Sequence, residues 1–224
     1  MKTIALMPMR GGSERVENKN LRNLAGTPLY HYMLRTLLEL DFIHSVYVDT
    51  DSNEIAASVK SAFPNVRIHR RLPQLGTGDT SMNEVIAAFI EQNECDEILQ
   101  VHSTSPFLSP ETLTAAYVKY AANISCDSMF SVSRIHARLW TQELSPINHD
   151  PNVLQRTQDL SPVLLENSGF YIFKTADFNS RSNRLGHFPM TYDLSALESI
   201  DIDTEDNFKF ADSVARGLQL EQSS

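Results

Sequence analysis

The chain has 224 residues, and 19 Lys and Arg against 28 Asp and Glu give it a formal net charge of −9. This acidic balance argues against general nucleic-acid binding, because phosphate backbones are bound mainly by basic side chains. Hydrophobic residues make up 42% of the chain and charged residues 21%, a composition that excludes a disordered protein. We therefore expect a globular protein with no nucleic-acid partner.

No apolar run reaches the ~20 residues of a membrane span, so no membrane association is predicted. The apolar run at the N-terminus ends at Pro8 and is too short for a secretory signal. The only two cysteines, Cys95 and Cys126, suggest reduced thiols rather than a disulfide framework. These features predict a cytoplasmic location.

Apolar runs alternate with helical patterns through the first 132 residues. The predicted strands are Thr3–Met7, Ser45–Thr50, Val66–Arg70, Glu97–His102 and Ser128–Val132. The predicted helices are Pro28–Leu40, a segment from Asp51 to about Ala62, Ser81–Gln92, and a segment from Ser109 to about Ala122. This alternation predicts an α/β fold with a doubly wound, mostly parallel sheet, in a single domain over 1–224. Ligands of such sheets bind beyond the carboxyl ends of the strands.

Residues 134–165 interrupt this alternation with three prolines and Trp140. An excursion of about 30 residues is usually functional, so we predict an inserted lid or oligomer contact. The chain is expected to return to the sheet at Asn167–Lys174 and to add a strand near His187–Tyr192. A last helix is predicted from about Glu205 to Leu220.

The loop after the first predicted strand carries the strongest chemical signal. Gly11 and Gly12 let the backbone turn and bring N–H groups close to an anion. Arg10 and Lys19 supply positive charge, and Ser13 supplies a hydroxyl donor. This pattern favours phosphate binding, and the alternative is a solvated glycine turn with scattered charges.

A second signal lies before the last predicted helix. With a period of two, Asp201 and Asp203 lie on one side of a strand while Ile202 faces the core. Two neighbouring carboxylates repel unless a cation lies between them, and Mg²⁺ favours one or two carboxylates together with phosphate oxygens. The alternative is that Asp203 or Thr204 only caps the helix.

Two histidines and one pair of aspartates have two interpretations each. His102 ends a predicted strand beside a polar loop, where it is either a ligand contact or a structural histidine. Asp49 and Asp51 form another same-face pair, but Asp51 is predicted to cap the following helix. His69 shows no partner pattern and is predicted to be a surface or packing residue.

Six motifs occur in an order that is more specific than any one of them. They are Arg10-Gly11-Gly12-Ser13 with Lys19-Asn20-Leu21, Thr50-Asp51, Asp79-Thr80-Ser81, Ser103-Thr104-Ser105-Pro106, Asn167-Ser168-Gly169-Phe170-Tyr171-Ile172 and Asp201-Ile202-Asp203-Thr204-Glu205. On these motifs the chain resembles the sugar-acid cytidylyltransferases. This family contains acylneuraminate (CMP-sialic acid) synthetases and their relatives for other nonulosonic acids.

The resemblance implies a reaction in which CTP and a 2-keto-3-deoxy sugar acid give a CMP-sugar and pyrophosphate. The anomeric hydroxyl of the sugar acid attacks the α-phosphate in line, which needs positioning and charge neutralisation more than covalent help. The implied metal cofactor is Mg²⁺, and the implied assembly is a homodimer with residues 134–165 as the dimerisation element.

The resemblance also assigns roles to individual residues. The expected catalytic residues are Arg10, Lys19 and Asp203, with Asp201 and Asp203 as metal ligands. The expected nucleotide-binding residues are Arg10, Gly11, Gly12, Ser13, Lys19, Asn20, Arg71, Thr80 and Ser81. The expected sugar-binding residues are His102, Arg156, Gln158, Asn167, Tyr171 and, from a dimer mate, Phe188. For Arg156 a structural salt bridge is an equally good interpretation.

Three positions depart from the family pattern. Glu14 stands where the family usually carries Lys, which adds a negative charge beside the triphosphate. His102 replaces a common Gln, and Leu108 replaces a common Arg, which favours a sugar acid other than N-acetylneuraminate. The alternatives are a nucleotidyltransferase for another sugar or sugar phosphate, and a non-catalytic nucleotide-binding protein.

Overall fold

The computed structural model describes residues 1–12 and 15–222. Its strands are β1 (Thr3–Pro8), β2 (Asn23–Leu24), β3 (Thr27–Pro28), β4 (Ser45–Thr50), β5 (Arg67–Arg70), β6 (Glu97–Val101), β7 (Ser128–Ile135), β8 (Val163–Lys174) and β9 (Pro189–Asp193). Its α-helices are α1 (Leu29–Leu38), α2 (Asn53–Ala62), α3 (Met82–Gln92), α4 (Pro110–Ala121), α5 (Thr175–Arg181) and α6 (Glu205–Gln222). The predicted helices and the strands predicted before residue 194 are therefore present, with ends that differ by a few residues.

Seven strands form one sheet in the order β5-β4-β1-β6-β8-β7-β9, and β2 pairs with β3 in a separate hairpin. Strands β5, β4, β1 and β6 are parallel neighbours, and β7 is parallel to β9. Among the strands that the described residues form, β8 alone runs antiparallel to both of its neighbours, β6 and β7. The predicted mostly parallel sheet is confirmed, with one reversed strand that the sequence did not indicate.

Strand β1 is buried along its whole length and separates two apolar layers. Ala5 and Met7 pack on the side that holds α1, α2 and α4. Ile4 and Leu6 pack on the other side, with side chains of α3 and α5. This alternation follows from the period-two geometry of a strand, and it gives the predicted doubly wound arrangement.

The starts of two helices differ in how well the sequence located them. Ser81 caps α3 through a reciprocal pair with Glu84, close to the predicted start. The cap of α2 is Ser52, whose hydroxyl accepts a hydrogen bond from the N–H of Ile55. The predicted cap at Asp51 is therefore wrong, because its carboxylate instead accepts from the N–H of Gly11.

The predicted insertion begins and ends inside the sheet. Residues 134–135 belong to β7 and residues 163–165 to β8, and the two strands form an antiparallel pair. The residues between them, 136–162, hold one bridge and a short 3-10 helix, Thr157–Asp159. We call residues 136–162 the arm. Its exposed apolar side chains are Trp140, Leu144, Ile147, Val153 and Leu154.

The segment before α6 belongs to no strand of the described chain, so the strand predicted at Asp201–Asp203 is wrong. Ile202 is fully buried and packs against Phe208 and Leu24, which gives the segment the alternation of a strand without its ladder. The hydroxyl of Thr204 accepts from the N–H of Asn207 and caps α6. Within the described residues, no helix combines the length and the apolar character that crossing a membrane requires.

Candidate functional site

A cavity of about 230 Å³ opens at the carboxyl ends of β1, β5 and β6. This is the edge of an open α/β sheet where ligands bind. The predicted site residues in its lining are Arg10, Lys19, Asn20, Arg71, Thr80 and His102. Arg15 adds a further cation to the lining, so the cavity is suited to an anionic ligand.

The loop after β1 reaches the cavity through only part of its predicted residues. The N–H of Gly11 donates to Asp51 Oδ1 at 2.8 Å, so this donor is already engaged by a protein carboxylate. A Cβ placed at Gly12 would meet no atom within 4 Å, so packing does not require glycine there. Ser13 and Glu14 lie outside the described residues.

Lys19 links the loop to the segment before α6. Its Nζ donates to the carbonyl of Ile202 at 2.7 Å and lies 3.6 Å from Asp203 Oδ1. Arg15 Nη1 approaches the other Asp203 oxygen at 3.3 Å. Burial lowers the pKa of Lys19, while the carboxylates of Asp203 and Asp201 oppose that shift. Two loops that are far apart in sequence therefore bring cations and carboxylates together.

Asn20 braces the same loop against the end of β6. Its Oδ1 accepts from the Ser103 hydroxyl at 2.6 Å, and its Nδ2 donates to the carbonyl of Arg10 at 3.4 Å. Asn20 and Ser103 are both buried, so these bonds are shielded from water. The backbone at Arg10 is held by this pair.

Asp201 and Asp203 have the donor chemistry of a divalent-cation site. Burial raises the pKa of Asp201, and the neighbouring Asp203 carboxylate raises it further, against a hydrogen bond from Thr104. A cation between the two carboxylates would relieve this repulsion. Among the described residues no cluster of three or more His, Cys, Asp or Glu could hold a metal. A two-carboxylate set fits Mg²⁺, which takes its remaining ligands from water and phosphate.

Arg71 is held by a buried carboxylate on β4. Its Nε donates to Asp49 Oδ1 at 2.5 Å, and the other oxygen, Oδ2, lies 2.7 Å from His69 Nδ1. All three residues are buried. His69 is buried, as one of its two predicted roles, packing, requires, and it also has a charged partner that the sequence did not indicate. Asp49 faces Arg71 rather than forming a ligand pair with Asp51.

The loop before α3 places only one of its two predicted residues in the cavity. Thr80 lines the cavity, and its hydroxyl lies 2.9 Å from that of Thr77. Ser81 lies outside the lining, and its N–H and hydroxyl are both bonded to Glu84 in the cap of α3. Ser81 thus has a structural role that its motif did not reveal.

On the opposite side, His102 belongs to a chain of polar side chains. Its Nε2 lies 2.9 Å from Gln100 Nε2, and Gln100 Oε1 accepts from Arg184 Nη1 at 2.7 Å. Arg184 lies over the ring of Tyr171, 3.5 Å from the ring centroid. Burial, with Arg184 and Lys19 nearby, lowers the pKa of His102 to about 4. His102 is therefore neutral at pH 7.

Tyr171 and Asn167 lie on β8 behind the cavity rather than in its lining. Burial raises the pKa of Tyr171 to about 12, and its hydroxyl donates to Glu166. Asn167 accepts from Ser131 and donates to Ser133, so it joins β7 to β8. These contacts give both residues structural partners within the chain.

The remaining predicted sugar-binding residues are exposed and outside the cavity. Arg156 pairs with Asp159 on the surface of the arm, at 2.7 Å, as its alternative interpretation predicted. Gln158 is exposed on the same 3-10 helix. The Phe188 side chain is 69% exposed. A single chain therefore does not bring these three residues to the cavity.

Sequence reasoning missed Gln100 and Arg184. Gln100 is a fully buried amide within an apolar strand, and such a residue is a recognisable signal because buried amides need partners. Arg184 lies in the loop between α5 and β9, and no motif marks it. Only the fold shows that it reaches β6.

A cytidylyltransferase family model matches residues 4–222 of this chain. N-acylneuraminate cytidylyltransferase A of Danio rerio is 33% identical over 216 residues, which are 93% of this chain and 49% of that protein. A pseudaminic acid cytidylyltransferase of Campylobacter jejuni is 23% identical over 223 residues, which are 94% of this chain and 95% of that protein. This chain spans about half the length of the Danio rerio relative.

The fold has a close counterpart among solved structures. CMP:2-keto-3-deoxy-manno-octonic acid synthetase, solved in complex with CTP, superposes with a TM-score of 0.71. The two sequences are 14% identical, and the superposition covers 96% of this chain and 98% of that one. At this identity the likeness concerns the fold.

Proposed function

Because the chain belongs to the cytidylyltransferase family, we propose that it transfers the CMP group of CTP to a sugar acid of the nonulosonic type. The products are a CMP-sugar and pyrophosphate. The observation that carries this proposal is the cavity lined by Arg10, Lys19 and Arg71, at whose edge Lys19 Nζ lies 3.6 Å from Asp203 Oδ1. Two relatives are named as cytidylyltransferases for N-acylneuraminate and for pseudaminic acid, and these names support a nonulosonic acid as the acceptor.

In the proposed reaction, the anomeric oxygen of the sugar acid forms a bond to the α-phosphorus. The bond from that phosphorus to the oxygen bridging to the β-phosphate breaks, its electron pair leaves with pyrophosphate, and the proton of the anomeric hydroxyl passes to water. Arg10 and Lys19 would bind the phosphate oxygens and stabilise their charge. Asp201 and Asp203 would hold Mg²⁺, which when bound neutralises phosphate charge and lowers the pKa of a coordinated hydroxyl.

The nucleotide base is assigned to the side of the cavity formed by β5 and the loop before α3. Arg71 and Thr80 line this side, and the buried Asp49 fixes the direction of the Arg71 guanidinium. A guanidinium with a fixed plane can form paired hydrogen bonds, which is what a pyrimidine edge offers. Asn20 also lines the cavity, and its side chain joins the backbone of Arg10 to Ser103.

We propose that the arm is the contact between two copies of the chain in a homodimer. Its apolar side chains are exposed in the single chain, and so is Phe188 in the loop before β9. An apolar surface of this kind usually marks an interaction site. In such a dimer, Arg156, Gln158 and Phe188 would approach the cavity of the second copy. We also propose a cytoplasmic location, which the free thiols of Cys95 and Cys126 support.

The test is pyrophosphate release from CTP and Mg²⁺ with a panel of sugar acids: N-acetylneuraminate, its deaminated analogue, legionaminate, pseudaminate and the octulosonate Kdo. We expect release with at least one acid and not with UTP in place of CTP. Silence across the panel while CTP binds would overturn the proposed transfer and favour a nucleotide-binding protein.

A further inference from the structure

Beneath the cavity, three polar side chains follow one another from the protein interior to the cavity wall. Arg184 Nη1 donates to Gln100 Oε1 at 2.7 Å. Gln100 Nε2 lies 2.9 Å from His102 Nε2. Gln100 is fully buried in β6, and His102 lines the cavity. The geometry of these three side chains decides which ring nitrogen of His102 carries the proton.

A guanidinium can only donate hydrogen bonds, so the Gln100 oxygen must face Arg184. The amide nitrogen of Gln100 then faces His102, and an amide nitrogen also only donates. His102 Nε2 must therefore accept, which means that it carries no proton. A neutral imidazole has one N–H, so the proton is on Nδ1.

Arg184 is held in place from several directions. Its guanidinium lies 3.5 Å from the Tyr171 ring centroid, and its Nη2 lies 3.8 Å from Glu166 Oε1. Its backbone N–H donates to Asn83 Oδ1 at 3.2 Å, at the start of α3. The Arg184 side chain is only 18% exposed, so the Gln100 amide is fixed by a donor with little freedom to move.

We propose that Arg184 and Gln100 are positioning residues that hold His102 as its neutral Nδ1–H tautomer, so that His102 donates a hydrogen bond to an oxygen of the sugar acid. This inference rests on the proposed function for the identity of the acceptor. No hydrogen bond reaches Nδ1 from within the described part of the chain, which leaves its proton for a ligand in the cavity. In this tautomer His102 is a donor, not the base that removes the anomeric proton.

The surroundings of His102 agree with a neutral ring. The charged groups near it are Arg184, Lys19 and Asp203, and the two cations act with burial to lower its pKa. A neutral Nδ1–H selects for atoms with lone pairs, such as carboxylate, carbonyl and hydroxyl oxygens. His102 therefore favours sugar acids that place such an oxygen atom within hydrogen-bond distance of Nδ1.

The tautomer can be read without any ligand, from long-range ¹H–¹⁵N correlation spectra of the ¹⁵N-labelled full chain at neutral pH. The chain has 7 histidines, and the spectrum of His102→Gln assigns the resonances of His102. We expect a protonated Nδ1 and a bare Nε2. A protonated Nε2 would overturn the proposal.

Gln100→Glu is the sharpest variant for this spectrum. A carboxylate at position 100 only accepts, so it can bond to Arg184 and to a protonated His102 Nε2, and the tautomer should switch. Arg184→Ala should leave the amide free to turn and should populate both tautomers. Arg67→Ala is the matched control, because Arg67 also lies over a tyrosine ring, at 5.6 Å from that of Tyr47, but outside the cavity. An unchanged tautomer in Gln100→Glu would contradict the proposal.

Kinetics with the panel acid that the wild-type chain turns over then test the donor role. We expect Gln100→Glu and His102→Phe to raise KM for the sugar acid about tenfold with little change in kcat, because one hydrogen bond to substrate is lost. His102→Gln, whose amide can donate, should recover most of the affinity. An unchanged KM, or a loss confined to kcat, would overturn the donor role. If no acid is turned over, the proposed function fails, and the spectrum still decides the tautomer.

Discussion

The two sides of the cavity are built in different ways. On the side proposed for the nucleotide, two predicted side chains are held by buried groups from other elements: Asp49 holds Arg71, and Ser103 holds Asn20. On the side proposed for the sugar acid, His102 is held within the chain, but Arg156 lies outside the cavity and pairs with Asp159, three residues away on an exposed surface. Parallel strands bring their carboxyl ends together within one chain, whereas a long excursion from the sheet does not. One chain thus brings Arg71 and Asn20 to the cavity, on what we call the braced side, and leaves Arg156 outside it, on what we call the open side.

The largest effect on turnover is expected from Asp203→Asn, which tests the cluster of charges formed by Asp203 with Lys19 and Arg15. The change removes one of two carboxylates assigned to Mg²⁺ and a partner of Lys19, so turnover should fall about 10³-fold. The Asp203 side chain is 45% exposed, so the free energy of unfolding should change by less than about 0.5 kcal/mol. Pyrophosphate release over a Mg²⁺ titration and thermal unfolding measure the two effects.

Asp206→Asn is the control for that variant. Asp206 lies in the first turn of α6, three residues on, and is 95% exposed. It should leave turnover and its Mg²⁺ dependence unchanged. If Asp203→Asn also retains its turnover, Asp203 is not a metal ligand, and the braced side owes its chemistry to its cations alone.

Asp49→Asn tests the braced side directly, because it removes the carboxylate that holds Arg71 and leaves the Arg71 guanidinium in place. Arg71 would remain buried without its charged partner, which costs about 3–5 kcal/mol of folding stability. For a chain of this size the midpoint of thermal unfolding should fall by about 6–20 °C. CTP should bind about tenfold more weakly, since the Arg71 guanidinium loses its fixed direction.

The exposed pair of Arg134 and Asp193 supplies the matched control for Asp49→Asn. These side chains lie 2.9 Å apart and are 45% and 46% exposed. Asp193→Asn should change stability by at most about 1 kcal/mol, because solvent screens exposed ion pairs. Equal effects of the two variants would show that the buried brace contributes no more than a surface pair.

The same contrast explains which parts of the fold could be predicted. Strands such as Ser45–Thr50 are marked by local apolar runs, and their positions are confirmed. The reversal of β8 follows from where the arm returns to the sheet, which no local pattern encodes. Residues Asp201–Asp203 alternate polar and apolar side chains as a strand does, because Ile202 is buried against α6. Such an alternation shows that one side of a segment is buried, but it does not show that the segment pairs with another strand.

For the site, the sequence predicted which loops line the cavity better than it predicted the hydrogen-bond partners of the side chains there. The family predicted from six motifs is confirmed by the match over residues 4–222. The roles of the individual site residues stay predictions. The contact between Asp49 and Arg71 spans 22 positions, and that between Gln100 and Arg184 spans 84, so neither could be read from spacing.

Arg156→Ala sharpens the comparison on the open side, where the expected effect is smallest. The Arg156 side chain is 73% exposed and its partner is local, so stability should change by less than about 0.5 kcal/mol. If Arg156 serves the cavity of the second copy, KM for the sugar acid should rise about tenfold, as for one lost contact to a charged group. Steady-state kinetics and thermal unfolding of the purified variant give both values.

A mixed dimer decides which copy Arg156 serves. When a tagged Arg156→Ala chain is paired with an Asp203→Asn chain, one of the two cavities has an intact Asp203. If Arg156 acts across the dimer, that cavity receives the intact Arg156 of the Asp203→Asn chain, so wild-type KM should return with about half of the wild-type kcat. If Arg156 acts within its own chain, no cavity is complete and the raised KM persists.

The arm itself supplies the control for the mixed dimer. Leu154 is 91% exposed on the arm, and Ile124 is 98% exposed outside it. Leu154→Glu should convert dimers to monomers in sedimentation velocity and abolish the rescue, because a charge cannot be buried unpaired at an apolar contact. Ile124→Glu should do neither. Rescue that survives Leu154→Glu would place the contact elsewhere, and the open side of the cavity would then be completed by another surface of the second copy.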